Sequence, residues 1–254
     1  MCIPCLTSTQ NNTVKKVALI SALILLLCSC GKEAQQLPAK GQGWLCIDGF
    51  SVNASTKGMI DNDFGISILN TDGSPVQGKT FPAGSVPSKI ALDGGNYILD
   101  AYSANIDNWK TADGGRGNAA YRQKEGFLIQ PEMYSYVSIH APHVNYAVRF
   151  RLEEGLEKWF KASSISVLEG SGRNVTLQQM QTGWFDASSV SVTISVTNTD
   201  NDSYTGKAYT LNGKPGHRYT LTYSLSPAED GTSSINVTID DEFEDGGEDI
   251  VIVN

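Results

Sequence analysis

The sequence predicts an all-β protein made of two tandem Greek-key β-sandwich domains that follow a signal peptide. Three observations carry this prediction. The first 29 residues have the composition of an export signal, and short segments rich in β-branched and aromatic residues recur between turn sequences along the rest of the chain. One local pattern at the head of a strand also occurs once in each half.

Residues 1–29 have the features of a lipoprotein signal peptide. Two lysines precede the eleven apolar-rich residues Val17–Leu27, and Ser29 lies directly before Cys30. Eleven residues fall short of the roughly 20 that a membrane-spanning helix needs, so a transmembrane helix is the weaker interpretation. We therefore expect acylation of Cys30 and a lipid-anchored protein in the outer membrane, on the cell surface.

The composition excludes some classes of partner and of stabilisation. Removal of the signal takes away two lysines and no acidic residue, so the formal net charge of −8 becomes −10, and the scattered basic residues do not form a nucleic-acid surface. Of five cysteines only Cys30 and Cys46 remain, and an acylated Cys30 leaves no pair for an intrachain disulfide. Stability must therefore come from hydrophobic cores.

The exported chain begins with a tether, residues 30–43, whose mixture of glycine, proline, lysine and glutamine lacks periodicity. The N-terminal β-sandwich is expected over residues 44–143, and Pro142 interrupts the strand pattern at its end. Its predicted strands are Trp44–Phe50, Phe64–Leu69, Lys89–Leu92, Tyr97–Tyr102, Gly126–Gln130 and Tyr134–His140.

The C-terminal β-sandwich is expected over residues 144–254. Its predicted strands are Tyr146–Leu152, Ser164–Leu168, Asn174–Leu177, Val190–Thr197, Lys207–Leu211, Tyr219–Leu225, Ser234–Ile239 and Ile250–Val253. Only Glu153–Ala162 has helical spacing of apolar residues, which predicts one short helix. The final apolar run either closes its own sheet, which we favour, or is donated to a partner's sheet.

A leucine, a glycine-bearing turn and then a tyrosine at the head of an apolar strand occur in both halves, at Leu92–Tyr97 and at Leu211–Tyr219. This pattern is typical of the tyrosine corner of Greek-key sandwiches, in which the phenol hydroxyl bonds to the backbone. It favours immunoglobulin-like or transthyretin-like domains.

No catalytic residue, metal ligand set or cofactor is predicted. The chain lacks the Gly-x-Ser-x-Gly elbow and the phosphate-binding loop. His140 and His143 are interpreted as ordinary strand-end histidines, and Asn198–Asp202 as a polar hairpin turn because the glycine and the closing acid of a calcium loop are missing. Seven acids within residues 240–249 are interpreted as a solvated loop.

The best candidate binding region is Ala104–Glu125, which is long and lacks a strand pattern. Trp109 and Tyr121 could stack on sugar rings. The alternative is that both rings fold back and cap the sandwich. Hydrogen bonds to sugar hydroxyls would come from the polar residues of the region, Asp107, Asn108, Asp113, Arg116 and Asn118.

Four segments carry a resemblance to a known family: Gly43–Ile47, Asp63–Gly73, Ile90–Tyr102 and Pro215–Tyr223. With them the chain resembles an uncharacterised family of Bacteroidetes-type surface lipoproteins, distantly fimbrillin-like, with tandem β-sandwiches. The resemblance implies a non-enzymatic adhesion or fimbria-associated component whose partners are the membrane and a pilus subunit or glycan. The alternative is a glycan-binding accessory lipoprotein of a polysaccharide-utilisation system.

Overall fold

The structure is a computed structural model that describes residues 38–51, 63–227, 233–243 and 248–251. Within these ranges the chain forms seventeen β-strands, three short 3-10 helices and no α-helix, so the prediction of an all-β fold is confirmed. No helix in the described ranges has the length and apolarity needed to cross a membrane. The signal peptide and Cys30 lie outside the described residues.

Two sheets in the first half pack face to face. One has the strand order β4-β1-β7 and the other β3-β2-β5-β6. The first strand pairs in parallel with β7 and antiparallel with β4, and all other pairs in these two sheets are antiparallel. The strands are β1 (Gln42–Ser51), β2 (Phe64–Asn70), β3 (Pro75–Phe81), β4 (Lys89–Asp93), β5 (Gly95–Ser103), β6 (Arg122–Ile129) and β7 (Tyr134–His140).

Two further sheets form the second half. Their orders are β11-β8-β15-β16-β17 and β10-β9-β12-β13, with β14 also paired to β12. The strands are β8 (Asn145–Leu152), β9 (Phe160–Glu169), β10 (Asn174–Gln178), β11 (Gly183–Asp186), β12 (Ser189–Asn198), β13 (Ser203–Thr205), β14 (Tyr209–Asn212), β15 (His217–Pro227), β16 (Ser233–Phe243) and β17 (Glu248–Val251).

The two halves repeat one topology. Counted within each half, the third, second, fifth and sixth strands form one sheet, and the fourth and first strands begin the other. In both halves the first strand then pairs in parallel with a late strand, β7 in the first and β15 in the second. The second half adds β14, β16 and β17 beyond this shared plan.

Each half has its own hydrophobic core because alternate residues of each strand face the opposite sheet. The N-terminal core is built around Phe64, Ile66 and Ile68 of β2, and the C-terminal core around Tyr146, Val148 and Phe150 of β8. These side chains are fully buried. The boundary residues assigned to the domains from the sequence stay a prediction.

Both predicted tyrosine corners are confirmed. The Tyr97 hydroxyl donates to the backbone carbonyl of Asp93 at 3.1 Å. The Tyr219 hydroxyl instead accepts from the backbone N–H of Lys214 at 3.2 Å. Burial raises the pKa of each phenol, which keeps both hydroxyls protonated over the ordinary pH range.

The prediction of a helix over Glu153–Ala162 is wrong. A single 3-10 turn covers Leu156–Lys158, and the chain enters β9 at Phe160. The reason is tertiary: β9 pairs with β10 on one side and β12 on the other, which satisfies its backbone groups along ten residues. A helix there would leave its first four N–H and last four C=O groups without intrahelical partners.

Candidate functional site

The predicted binding region connects β5 to β6 at the end of the N-terminal sandwich that faces the C-terminal sandwich. We call residues 104–121 the junction loop. It contains two 3-10 turns, Trp109–Thr111 and Asp113–Gly115. Asn105 fixes its base, because its side-chain amide donates to the carbonyl of Ala119 at 2.8 Å and its side-chain oxygen accepts from the Ser103 hydroxyl at 2.7 Å.

Arg173, the residue before β10 in the other sandwich, holds the junction loop in place. Its guanidinium donates to the carbonyl of Gly115 at 2.7 Å and to that of Lys110 at 3.3 Å. A third hydrogen bond reaches the carbonyl of Trp184 in β11 at 2.9 Å. The guanidinium carbon also lies 5.8 Å from the centre of the Trp109 ring. One side chain therefore joins the loop to two elements of the C-terminal sandwich.

A buried carboxylate orients Arg173. The side chain of Glu169 is only 1% exposed and lies 3.3 Å from the Arg173 guanidinium. The same oxygen accepts from the backbone N–H of Asp186 at 3.0 Å, and the other accepts from the Ser171 hydroxyl at 3.2 Å. Because a buried charge is tolerated only when it is paired and hydrogen-bonded, this arrangement fixes the guanidinium in one geometry.

Two further contacts fasten the loop to β11. Lys110 and Asp186 form an ion pair at the partly exposed rim of the junction. The backbone N–H of Trp184 donates to the carbonyl of Arg116 at 2.8 Å. Gly117 fits between them with φ of 86°, where a β-carbon would lie 3.2 Å from the carbonyl oxygens of both Trp109 and Trp184. Glycine is required there for both conformation and space.

Asn145, the first residue of β8, makes the second bridge between the sandwiches. Its fully buried side chain donates to the carbonyl of Asn118 at 2.8 Å and accepts from the backbone N–H of Ala120 at 3.1 Å. Both hydrogen-bonding groups of one amide are thus used to hold the end of the junction loop against the C-terminal sandwich.

His143 packs between aromatic rings from both halves. Its ring centre lies 4.2 Å from that of Tyr121 and 5.6 Å from that of Trp184, to which it is nearly parallel at 10°. The imidazole is buried. His143 lies three residues beyond β7, which ends at His140, and it forms an isolated β-bridge with Tyr121. The interpretation of His140 and His143 as ordinary strand-end histidines stays a prediction.

The structure separates the predicted site residues into two sets. Trp109 and Tyr121 are 7% and 8% exposed, and their rings pack on Arg173 and on His143 respectively. Asp107 and Asn108 are exposed, and Arg116 is paired with Asp113 at 2.6 Å within the loop. Hydrogen bonding by this guanidinium lowers the pKa of the Asp113 carboxyl. Glycan binding by these residues stays a prediction.

Sequence reasoning missed the residues that organise the junction, which are Arg173, Glu169, Lys110 and Asn145. Glu169 and Arg173 lie four residues apart across a Gly-Ser-Gly turn, a pattern that an ordinary surface hairpin shares. No local signal connects that hairpin to Gly115, which lies 58 residues earlier.

A second charged cluster lies on the outer face of the sheet that contains β8, β15 and β16. Arg218 donates to Glu242 at 2.5 Å, and Arg149 and Arg151 are oriented by hydroxyls of two threonines on β15. Hydrogen bonding by Arg218 is the main cause that lowers the pKa of Glu242, with Arg149 contributing by charge. The arginines are thus engaged with their own sheet.

Two other features bear on ligand sites. Asn198 and Asp202 bond to each other through backbone and side-chain groups at 2.8–2.9 Å, so the predicted polar hairpin turn is confirmed. An open cavity of about 260 Å³ lies between the sheets of the C-terminal sandwich, lined mostly by apolar residues including Ile194, Tyr223 and Val237. It is smaller than most pockets that enclose a small-molecule ligand.

Residues 41–254 match a family described as a domain of unknown function (DUF4493). No curated protein matches the chain. Among solved structures, a candidate adhesin from Bacteroides ovatus is 10% identical with a TM-score of 0.47, over 89% of this chain and 99% of that one.

Two further structures are similar at the same level. A candidate cell adhesion protein from Bacteroides uniformis is 11% identical with a TM-score of 0.46, over 79% of this chain and 99% of that one. The fimbrial anchor protein Mfa2 from Porphyromonas gingivalis is 10% identical with a TM-score of 0.45, over 84% and 100%. Because these TM-scores are all below 0.5, the likenesses support no inference about this chain's activity.

Proposed function

The chain belongs to the family described as a domain of unknown function (DUF4493), and we propose that it is a non-enzymatic cell-surface lipoprotein that acts as an adhesion or fimbria-associated structural component. The lipid at Cys30 would hold it in the outer membrane. The observation that carries the proposal is the serial arrangement of tether, N-terminal sandwich and C-terminal sandwich, joined by a junction of buried polar contacts.

The course of the strands defines this series. β5 and β7 run from the tether end of the N-terminal sandwich to the junction, and β6 runs back. Gly41, at the end of the tether, accepts from the backbone N–H of Gly94 at 2.9 Å, at the opposite end of β5 from Ser103. A chain anchored at Cys30 would therefore present its C-terminal sandwich away from the membrane.

The junction supports a mechanical role for this arrangement. Side chains on opposite sides of the contact join the two sandwiches: Arg173, Asn145 and the Lys110–Asp186 pair. Domains joined by a flexible linker alone would reorient freely. A junction fixed by directed hydrogen bonds transmits force from the outer domain to the anchor, as an adhesion component requires.

The proposal is tested with Cys30→Ala in cells that otherwise lack the protein. The native chain should carry lipid mass, fractionate with the outer membrane and raise attachment of the cells to a surface or their yield of fimbriae. Several acyl chains give stable anchoring where a single chain is marginal, so the variant should be released from the membrane. An anchored native chain that changes neither attachment nor fimbriae would refute the adhesion role.

The alternative proposal is glycan binding through the exposed edge of the junction loop. Its support is the exposure of Asp107 and Asn108, whose polar groups face solvent beside the buried Trp109. Under this proposal the two residues would hydrogen-bond sugar hydroxyls. A glycan array with the native chain, repeated with Asp107→Ala and Asn108→Ala, tests it; no hit on the array would reject it.

A further inference from the structure

The tether reaches the N-terminal sandwich directly beside the turn that connects β6 of one sheet to β7 of the other. The backbone N–H of Glu132, in this turn, donates to the carbonyl of Gln42 at 2.7 Å, and that of Trp44 donates to the carbonyl of Met133 at 2.9 Å. Cys30 precedes Gln42 by twelve residues. A fully extended chain of that length spans roughly 40 Å at most, so a lipid on Cys30 keeps this turn within that distance of the bilayer.

The same turn and the strand ends beside it carry the exposed apolar side chains of this domain. Among the described residues of the N-terminal sandwich, the large hydrophobic side chains that are exposed are Leu128, Met133 and Tyr136, at 49%, 53% and 69%. All three lie in residues 128–136, which we call the β6–β7 turn. The Tyr134 ring stacks near that of Tyr136 at 6.5 Å. Single exposed apolar residues scattered over a surface are normal, whereas exposed apolar residues grouped in one region indicate a contact surface.

The chemistry of the β6–β7 turn fits the polar interface of a bilayer better than its hydrocarbon core. Tyrosine rings suit a surface that is apolar on one side and wet on the other, and Lys89 lies 5.3 Å above the Tyr134 ring. Glu132 is exposed in the turn itself. A carboxylate there resists deep insertion and repels anionic lipids, so the matching surface is a zwitterionic headgroup layer.

We propose that the β6–β7 turn contacts the headgroup layer of the membrane that holds the lipid on Cys30. This inference rests on the lipid anchor of the proposed function. The contact supplies a second, weaker attachment beside the acyl chains and sets the orientation of the molecule. The N-terminal sandwich lies against the bilayer with Met133 and Tyr136 at the interface, and the junction holds the C-terminal sandwich away from it.

The experiment uses the full lipidated chain in phosphatidylcholine vesicles whose acyl chains carry a bromine or nitroxide quencher. A fluorescent dye is attached at Met133→Cys, and Tyr136→Cys provides a second site in the β6–β7 turn. The native Cys46 is buried and does not compete for the dye. The matched control is Trp159→Cys, an equally exposed position, at 67%, in the C-terminal sandwich.

Loss of fluorescence at positions 133 and 136, with none at 159, is the expected result. Equal fluorescence at all three positions overturns the inference. A change in fluorescence at position 133 that grows with protein density but needs no quencher also overturns it, because a second copy of the chain would then cover the β6–β7 turn. Mass spectrometry shows whether the chain carries lipid, and so separates failure of the anchor from failure of this inference. A chain without lipid refutes the anchor and this inference together. A lipidated chain without quenching refutes this inference alone.

Discussion

Replacement of Arg173 by methionine is expected to lower the free energy of unfolding and to loosen the contact between the sandwiches. Methionine keeps much of the apolar contact with the rings of Trp109 and Phe185, whose centres lie 5.8 and 5.3 Å from the guanidinium carbon. It donates no hydrogen bond. Arg173→Met therefore removes the charge and the three carbonyl contacts while it leaves the packing nearly intact.

The size of the loss in free energy of unfolding depends on Glu169. Its side chain is 1% exposed and would keep the Asp186 N–H and the Ser171 hydroxyl as hydrogen-bond donors but lose its cation. Removal of one member of a buried ion pair costs about 3–5 kcal/mol, and the partial exposure of Arg173 favours the lower end, about 3 kcal/mol. With a urea m-value of about 2 kcal/mol per molar, the unfolding midpoint should fall by roughly 1.5 M.

Urea unfolding followed by tryptophan fluorescence measures this effect, because Trp109 and Trp184 both lie at the junction. Protease cleavage within the junction loop should also become faster in the variant. The double variant Glu169→Gln and Arg173→Met should recover part of the loss, since a neutral amide replaces the unpaired carboxylate and can still accept from Asp186.

Arg116→Met is the matched control. Arg116 lies in the same loop but pairs with the exposed Asp113, so its removal should leave the midpoint unchanged. If Arg173→Met shifts the midpoint no more than Arg116→Met, or if the double variant is less stable than Arg173→Met alone, the buried pair does not hold the junction and the reasoning is refuted.

Three other predictions follow from the same structure. Deletion of residues 249–254 should lower the melting temperature of the purified monomer sharply, because β17 pairs with β16 of its own sheet; an unchanged melting curve with lost assembly in cells would favour strand donation. Trp109→Ala should cost about 3–5 kcal/mol in unfolding experiments, as for other buried aromatics; normal stability with lost glycan affinity would instead make Trp109 a ligand residue. Arg218 lowers the pKa of Glu242 below its ordinary 4.5, so the folded state binds fewer protons than the unfolded state. The stability that this pair contributes is present above pH 4.5 and is lost as the pH falls through the lowered pKa. Glu242→Gln should therefore flatten the decline in melting temperature on the acid side, and an unaltered pH profile would contradict the assignment.

The strands that sequence analysis missed share one property. β3, β11 and β13 each lie at the edge of a sheet in the described fold and pair with a single strand. β13 is exposed along its whole length, and β3 along most of it. An edge strand needs neither alternation of apolar residues nor strong β-propensity, so its sequence resembles that of a turn. The limits predicted for central strands such as β2 and β8 agree with the structure to within one residue, because both periodicity and burial act on them.

Sequence analysis left two environments open for Trp109 and Tyr121, stacking on sugar rings or packing against the sandwich, and the structure buries both rings. Glycan binding by this segment stays a prediction. A long segment without a strand pattern predicts a loop, and residues 104–121 form one between β5 and β6. Composition could not distinguish a ring that faces solvent from one that packs on a neighbouring domain. That distinction depends on Arg173, which lies 63 residues from the Lys110 carbonyl to which it donates.

The sequence by itself determined the β-rich character, the two tyrosine corners and the expectation of a lipid anchor, because each depends on residues close together along the chain. Tertiary structure alone decided the shared topology of the halves, the fate of Trp109 and Tyr121, and the location of apolar side chains beside the tether. These features arise from pairings between distant segments. Their free energies depend on which groups become buried together, and that information is absent from any local window of the chain.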